Sequence, residues 1–233
     1  SAKTFHLDRI TFQGLNRADA SHLEQLINDV IPENVLAVGL FQVRSLLESE
    51  NWIKSAVVRR RLPDKIEVYI EERIPEAVAV IEGELKVVDR EGIALASFGP
   101  KFEFLDRPII KGMISAAVEG ARVWNSRRMK LYFDILHELD RGEKNYSKTI
   151  SEVDLSETNQ VRVIPTSEPV PVLLGERDYL QRYETFVSRM DLVREVKRRH
   201  GKIEWIDVTF TNRIILHTPR GQGQSEIDIR GSD

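Results

Sequence analysis

The side chains that most often carry enzyme chemistry are scattered along this 233-residue chain. It has no cysteine, no serine in a G-x-S-x-G elbow and no HExxH pair. Glu71 and Glu72 are adjacent carboxylates, but they belong to a run in which polar and apolar residues alternate, as on a strand with one solvated face. No two of the five histidines have the i, i+4 spacing of a helical metal site. They are His6, His22, His137, His200 and His217. The sequence therefore predicts no enzyme, no metal site and no cofactor.

Phosphate-binding patterns are also missing. Gly221-Gln-Gly223 is not followed by a helical pattern, and no G-x-x-x-x-G-K-[ST] occurs. Two basic runs, 59–61 and 197–200, lack interleaved aromatic residues, and the net charge is −3. These runs fit a solvated sheet end or a docking patch for an acidic partner. We expect neither nucleic acid nor a small-molecule substrate to bind.

Composition indicates a soluble-type surface with a real core, since 41% of residues are hydrophobic and 30% are charged. No window approaches the roughly 20 consecutive apolar residues that a membrane span needs. The chain begins Ser-Ala rather than Met and shows no secretory signal, so we expect a trimmed or mature fragment.

The first 75 residues predict strand, helix, helix, strand, strand. A strand over 7–13 precedes a helix capped by Asn16 or Asp19, and a second helix fits 41–50. Two strand patterns, 53–61 and 66–71, flank a turn at Pro63. The first helix carries an apolar stripe at helical spacing: Leu23, Leu26, Ile27, Val30 and Ile31.

The sequence after residue 75 predicts short strands and two helices, over 126–140 and 177–199. Two final strands end near Thr218, and the second of them spans 214–218. The tail 221–233 is polar and rich in glycine, so we expect it to be disordered.

The first hairpin contains a characteristic set of residues: Trp52, Ala56, Val57, Val58, Arg59, Pro63, Asp64, Glu72, Pro75 and Ala77. The runs 85–96, 107–112 and 205–218 follow it along the chain. Taken in this order, these pieces resemble the extracytoplasmic region of the FtsQ/DivIB family of bacterial cell-division proteins, with 85–96 and 205–218 similar to its later hairpins and 107–112 similar to its Leu-Pro-x-x-x-Gly element. Leu62 replaces a tryptophan usual in the family.

The resemblance implies an α+β fold with an N-terminal POTRA domain (1–75), a larger mixed β-domain with flanking helices (76–219) and the disordered tail (220–233). It also implies a single-pass protein of the cytoplasmic (inner) membrane, with this region on the periplasmic side and a membrane helix upstream of Ser1.

The expected activity is binding by strand addition, because an open sheet edge offers unpaired N–H and C=O groups. The last strand is short, strongly β-forming and uncharged after Arg213, and a polar tail follows it. In the family, the last strands bind FtsB, which pairs with FtsL, and so act indirectly on the septal peptidoglycan synthase FtsW/FtsI. Carried onto this sequence, the partner-binding residues are Phe210, Thr211, Asn212, Arg213, Ile214, Ile215, Leu216 and His217.

Three alternatives stay open. Phe210 and Ile215 could face the domain's own core instead of a partner. The chain could be a POTRA-containing translocation or outer-membrane assembly factor. It could also be a cell-wall enzyme that uses Glu71, Glu72 or His137.

Overall fold

The protein is described by a computed structural model that covers residues 9–30, 35–157, 159–211, 213–219 and 226–230. The chain divides into two compact units, Ser1–Ile74 and Pro75–Asp233. Helices and mixed sheets occur in both, so the predicted α+β class is confirmed.

The first unit is a three-stranded sheet covered by two helices. Its elements are β1 (Arg9–Gln13), α1 (Ala20–Asn28), α2 (Leu40–Glu48), β2 (Ile53–Arg61) and β3 (Lys65–Glu72). The sheet order is β1-β3-β2, with β1 parallel and β2 antiparallel to β3. This is the predicted POTRA arrangement.

Local chemistry explains the start of α1. The Asp19 carboxylate accepts a hydrogen bond from the Ser21 N–H at 2.9 Å, which satisfies one of the free amides of the first turn. Of the two predicted caps, Asp19 is therefore the one used. The apolar stripe of α1 buries Leu23 and Ile27, and these pack with Val43 and Leu47 of α2. Ile31 lies outside the described residues.

The second unit contains a ten-stranded mixed sheet. Its strands are β4 (Ala77–Ile81), β5 (Glu84–Val88), β6 (Ala94–Ser97), β7 (Ile109–Lys111), β8 (Ile150–Asp154), β9 (Val161–Pro165), β10 (Val172–Gly175), β11 (Trp205–Asp207), β12 (Arg213–His217) and β13 (Glu226–Arg230). Their order is β13-β12-β11-β10-β9-β8-β7-β4-β5-β6. The pairs β4·β7, β7·β8 and β10·β11 are parallel, and the others are antiparallel.

Three helices contribute to the core of this unit: α3 (Ala121–Leu139), α4 (Tyr179–Ser188) and α5 (Met190–His200). Buried residues from each of them share one cluster with β-strand residues, among them Tyr132, Phe186 and Val193. The Tyr132 hydroxyl donates a hydrogen bond to the Pro108 carbonyl at 2.7 Å. Burial raises the pKa of Tyr132 well above its usual value, so it stays a neutral donor.

Two helix predictions need correction. The helix expected over 177–199 is two helices, because Arg189 leaves the helical region at φ −109° and ψ 12°. The sequence hides this break, since Phe186 before it and Val193 after it are buried in the same core and continue the apolar spacing. Helix α3 begins at Ala121 rather than near 126, with buried Ala121 and Asn125 in its first turns.

The tail prediction also needs correction. Residues 226–230 form β13 instead of being disordered, because Ile227 and Ile229 alternate with polar residues and pack against the core of the second unit. Residues 220–225 and 231–233 lie outside the described part of the chain.

Candidate functional site

The predicted partner-binding residues lie in one ribbon near the C-terminus. Phe210 and Thr211 are in the connection between β11 and β12, and the run from Arg213 to His217 is β12 itself. Asn212 lies outside the described residues. The two strands pair antiparallel, with Ile206 opposite Leu216.

The two faces of β12 have different tasks. Ile214 and Leu216, two of the predicted partner-binding residues, are fully buried in the core. The alternative that Phe210 and Ile215 face the core is wrong, because Phe210 is exposed and Ile215 lies half-buried on the other face. Arg213, Ile215 and His217 point to the opposite face and are half-buried. The side chains of this strand that a partner can contact are therefore those of Arg213, Ile215 and His217.

The expectation that β12 is an open edge is wrong in this structure. β13 pairs with it antiparallel over the whole strand, from Arg213 opposite Arg230 to His217 opposite Glu226. The tail was expected to be too polar to cover β12, but its two isoleucines suffice to dock it. In the described residues the sheet ends with β13.

The hydrogen-bond directions show which backbone groups of β12 face outward. The Ile206 N–H donates to the Pro171 carbonyl on the β10 side, so its neighbours Trp205 and Asp207 direct their groups to β12. They stand opposite His217 and Ile215. Because direction alternates along a strand, Ile214 and Leu216 present their N–H and C=O groups to β13. These groups are the ones that an added strand would use.

Phe210, Arg213 and Asp228 form a small exposed cluster. The Arg213 guanidinium carbon lies 4.2 Å from the centre of the Phe210 ring, within the range of a cation–π contact. Its Nη1 is 3.5 Å from the Asp228 carboxylate of β13. Phe210 remains 40% exposed. An aromatic ring with an adjacent cation is a suitable anchor for a protein partner.

The sequence did not predict the stack of Trp205 on His217. The two rings lie 3.5 Å apart and nearly parallel, at 7°. They are paired residues on the outer face of β11 and β12, where side chains of neighbouring strands come close. His217 lies on the same face of β12 as Ile215.

A polar cavity of about 180 Å³ adjoins Phe210. Its walls combine the start of α4 with the end of β11 and the following connection: Arg177, Asp178, Gln181, Arg182, Thr185, Val208, Thr209, Phe210 and Thr211. Arg182 donates to the Leu174 carbonyl at 2.5 Å, and Arg177 lies 3.7 Å from the Asp178 carboxylate. Sequence reasoning missed this cavity because α4 and β11 are brought together only by the fold.

The residues considered for catalysis have structural roles or lie apart. Glu72 accepts hydrogen bonds from the backbone N–H groups of Asn16, Arg17 and Ala18 at 2.8–2.9 Å, and so fixes the entry to α1. Burial alone would raise the pKa of Glu72, but the three backbone donors outweigh it and hold the pKa below its usual value. Glu71 instead pairs with Lys54 at 2.7 Å, and this contact lowers its pKa.

His137 lies on α3 in the other unit. Within the described ranges, no group of three or more His, Cys, Asp or Glu side chains is placed to hold a metal ion.

The basic runs are largely engaged within their own units. Arg59 lies over the Tyr69 ring at 5.3 Å, Arg60 donates to the Val38 carbonyl at 2.8 Å, and Arg61 pairs with Glu67 at 3.0 Å. On α5, Lys197 pairs with buried Glu168. The three arginines of 59–61, and Lys197 of the second run, therefore contact residues of their own unit.

Comparison with known proteins gives the class of the first unit. Residues 5–73 match the family model of the FtsQ-type POTRA domain. The chain is therefore a POTRA-containing protein.

The similarity extends far beyond that domain. "Cell division protein FtsQ" of Koribacter versatilis is 29% identical over 215 residues, which cover 90% of this chain and 59% of that protein. The protein of the same name from Syntrophotalea carbinolica is 29% identical over 224 residues, covering 94% of this chain and 76% of that protein. The predicted resemblance to FtsQ is confirmed along most of the chain. Among the described residues, no helix combines the length and apolarity needed to cross a bilayer.

Proposed function

We propose that this chain is the extracytoplasmic part of a non-catalytic scaffold for bacterial cell division. Support comes from the FtsQ-type POTRA match and from relatives named as cell-division proteins along 90% or more of the chain. The chain spans 59% of the length of the Koribacter relative. In the proposal, a membrane helix outside this chain anchors it in the cytoplasmic membrane.

The partner-binding site in this proposal is the ribbon of β11 and β12, and the partner is the extracytoplasmic region of FtsB, paired with FtsL. One observation carries the assignment: β12 directs the backbone groups of Ile214 and Leu216 away from β11, toward the end of the sheet where β13 now lies. A strand from another protein can make the same bonds. By holding FtsB and FtsL, the scaffold would recruit and regulate the septal synthase FtsW/FtsI.

The surroundings of β12 suit such a partner. Ile215 and the Trp205–His217 stack offer an apolar outer face, while Phe210 and Arg213 offer an aromatic anchor with a cation. The polar cavity at Arg177 and Arg182 is next to this anchor and can accept a polar side chain. Apolar anchors rimmed by polar groups are typical of protein interfaces.

Site-specific photo-crosslinking in dividing cells tests this proposal. A crosslinking amino acid replaces Ile215 in the whole protein, and the matched control replaces Phe98, which is 37% exposed after β6 at the other end of the sheet. We expect an adduct with FtsB from position 215 and none from position 98. FtsB adducts at both positions, or at neither, would contradict the assigned ribbon.

A further inference from the structure

β13 occupies the place that an added strand would take. It is antiparallel to β12, and Ile229 and Ile227 stand opposite Ile214 and Leu216. These are the two β12 residues whose backbone groups point away from β11. The segment therefore satisfies the same donors and acceptors that the proposed partner needs.

The side chains of β13 also show which residues fit beside β12, in the place that we call the partner groove. Ile227 and Ile229 are half-buried and continue the core beyond Leu216 and Ile214. Asp228, between them, faces the other side and approaches Arg213 at 3.5 Å. The groove thus selects an aliphatic, acidic, aliphatic pattern, with aliphatic side chains inward and a carboxylate toward Arg213.

We propose that Glu226–Arg230 is a tethered competitor that occupies the partner groove on β12. The inference rests on the proposed function and adds its regulation: the partner's strand must displace β13, and it carries the same aliphatic-acidic-aliphatic pattern in antiparallel orientation. Scaffold binding is then controlled by the protein's own C-terminal segment.

The packing of β13 makes it replaceable. Among the strands of the described residues it is the last in the sheet order and pairs with β12 alone. When it leaves, β12 keeps its ladder to β11, and Ile214 and Leu216 keep their contacts with the core cluster. The two isoleucines of β13 are half-buried, whereas Ile214 and Leu216 are fully buried. An end strand with so little buried surface opens at low free energy.

Truncation measures the competition directly. The chain ending at Pro219 lacks β13, and the matched control ends at Arg230 and keeps it. Binding of a labelled FtsB extracytoplasmic fragment is compared by fluorescence anisotropy, together with a labelled peptide of residues 224–232. While β13 occupies the groove, the apparent affinity for FtsB is reduced in proportion to the fraction of molecules whose groove is open. We therefore expect the Pro219 form to bind FtsB about tenfold more tightly. The peptide should bind the Pro219 form and not the control.

A second variant guards against a folding defect in the shortened chain. The double substitution Ile227→Asp and Ile229→Asp keeps the full length but removes the inward isoleucines, and it should bind FtsB as the Pro219 form does. Equal FtsB affinity of all forms would overturn the competition and leave the scaffold function standing. Loss of FtsB binding on truncation would overturn it too, because the partner would then pair with β13. No FtsB binding by any form would refute the proposed function itself.

Discussion

Phe210 allows the sharpest test of the partner-binding ribbon. Its ring is 40% exposed and lies under the Arg213 guanidinium. Complete burial of a phenylalanine side chain contributes about 1.5–3 kcal/mol, so burying the exposed part in an interface contributes about 0.6–1.2 kcal/mol. Desolvation of the cation–π pair adds about 1 kcal/mol. Phe210→Ala should therefore weaken FtsB binding by about 1.6–2.2 kcal/mol, or about 15- to 40-fold in Kd.

Fluorescence anisotropy with the FtsB fragment measures this change, on the full chain and on the chain ending at Pro219. Phe98→Ala is the matched control, because it removes a phenylalanine of nearly the same exposure (37%) at the far end of the sheet. Both substitutions also remove partly buried surface, so urea unfolding is measured for each. Equal Kd values for the two variants, at comparable stability, would refute the role of Phe210 as an anchor.

Two further predictions concern the two units separately. Glu72→Ala removes the acceptor of three backbone N–H groups and should lower the free energy of unfolding by about 1–3 kcal/mol at pH 7, with Glu72→Gln in between because it keeps one carbonyl oxygen. Since folding lowers the pKa of Glu72, its contribution is present above the unfolded pKa of about 4.3 and is lost as pH falls through the folded pKa. Tyr132→Phe leaves the buried Pro108 carbonyl without its donor and should destabilise the protein by about 1–2 kcal/mol.

An exposed glutamate and a half-exposed tyrosine supply the controls. Glu71→Ala removes an exposed pair with Lys54 and should leave the free energy of unfolding almost unchanged. Tyr69→Phe removes a half-exposed hydroxyl that donates to Glu67, with a similarly small effect. The free energy of unfolding of every variant is measured by urea unfolding at pH 3, 5 and 7. A Glu72 effect that grows toward pH 3, or a Tyr132 effect no larger than that of Tyr69, contradicts the stated roles.

The short-range features of the fold were predictable because they depend on neighbours along the chain. The stripe of Leu23 and Ile27 predicted α1, and Asp19 was one of its two expected caps. The alternation around Ile66 and Val68 gave β3 with one buried face. The same reasoning failed at Arg189, where no glycine or proline marks the end of α4. Helix endings of this kind follow from how both helices pack on a shared core.

The sequence by itself determined the composition of the partner ribbon: a β-forming run from Arg213 to His217 preceded by Phe210, within a chain that resembles FtsQ. Only the tertiary structure decided which residues of that run are buried, that Trp205 stacks on His217, and that β13 covers the edge. The physical reason is that each of these features depends on pairing between strands and not on the local run of residues. Ile227 and Ile229 sit in a tail whose composition indicates disorder, and they become a strand because Ile214 and Leu216 provide a ladder and a core to complete.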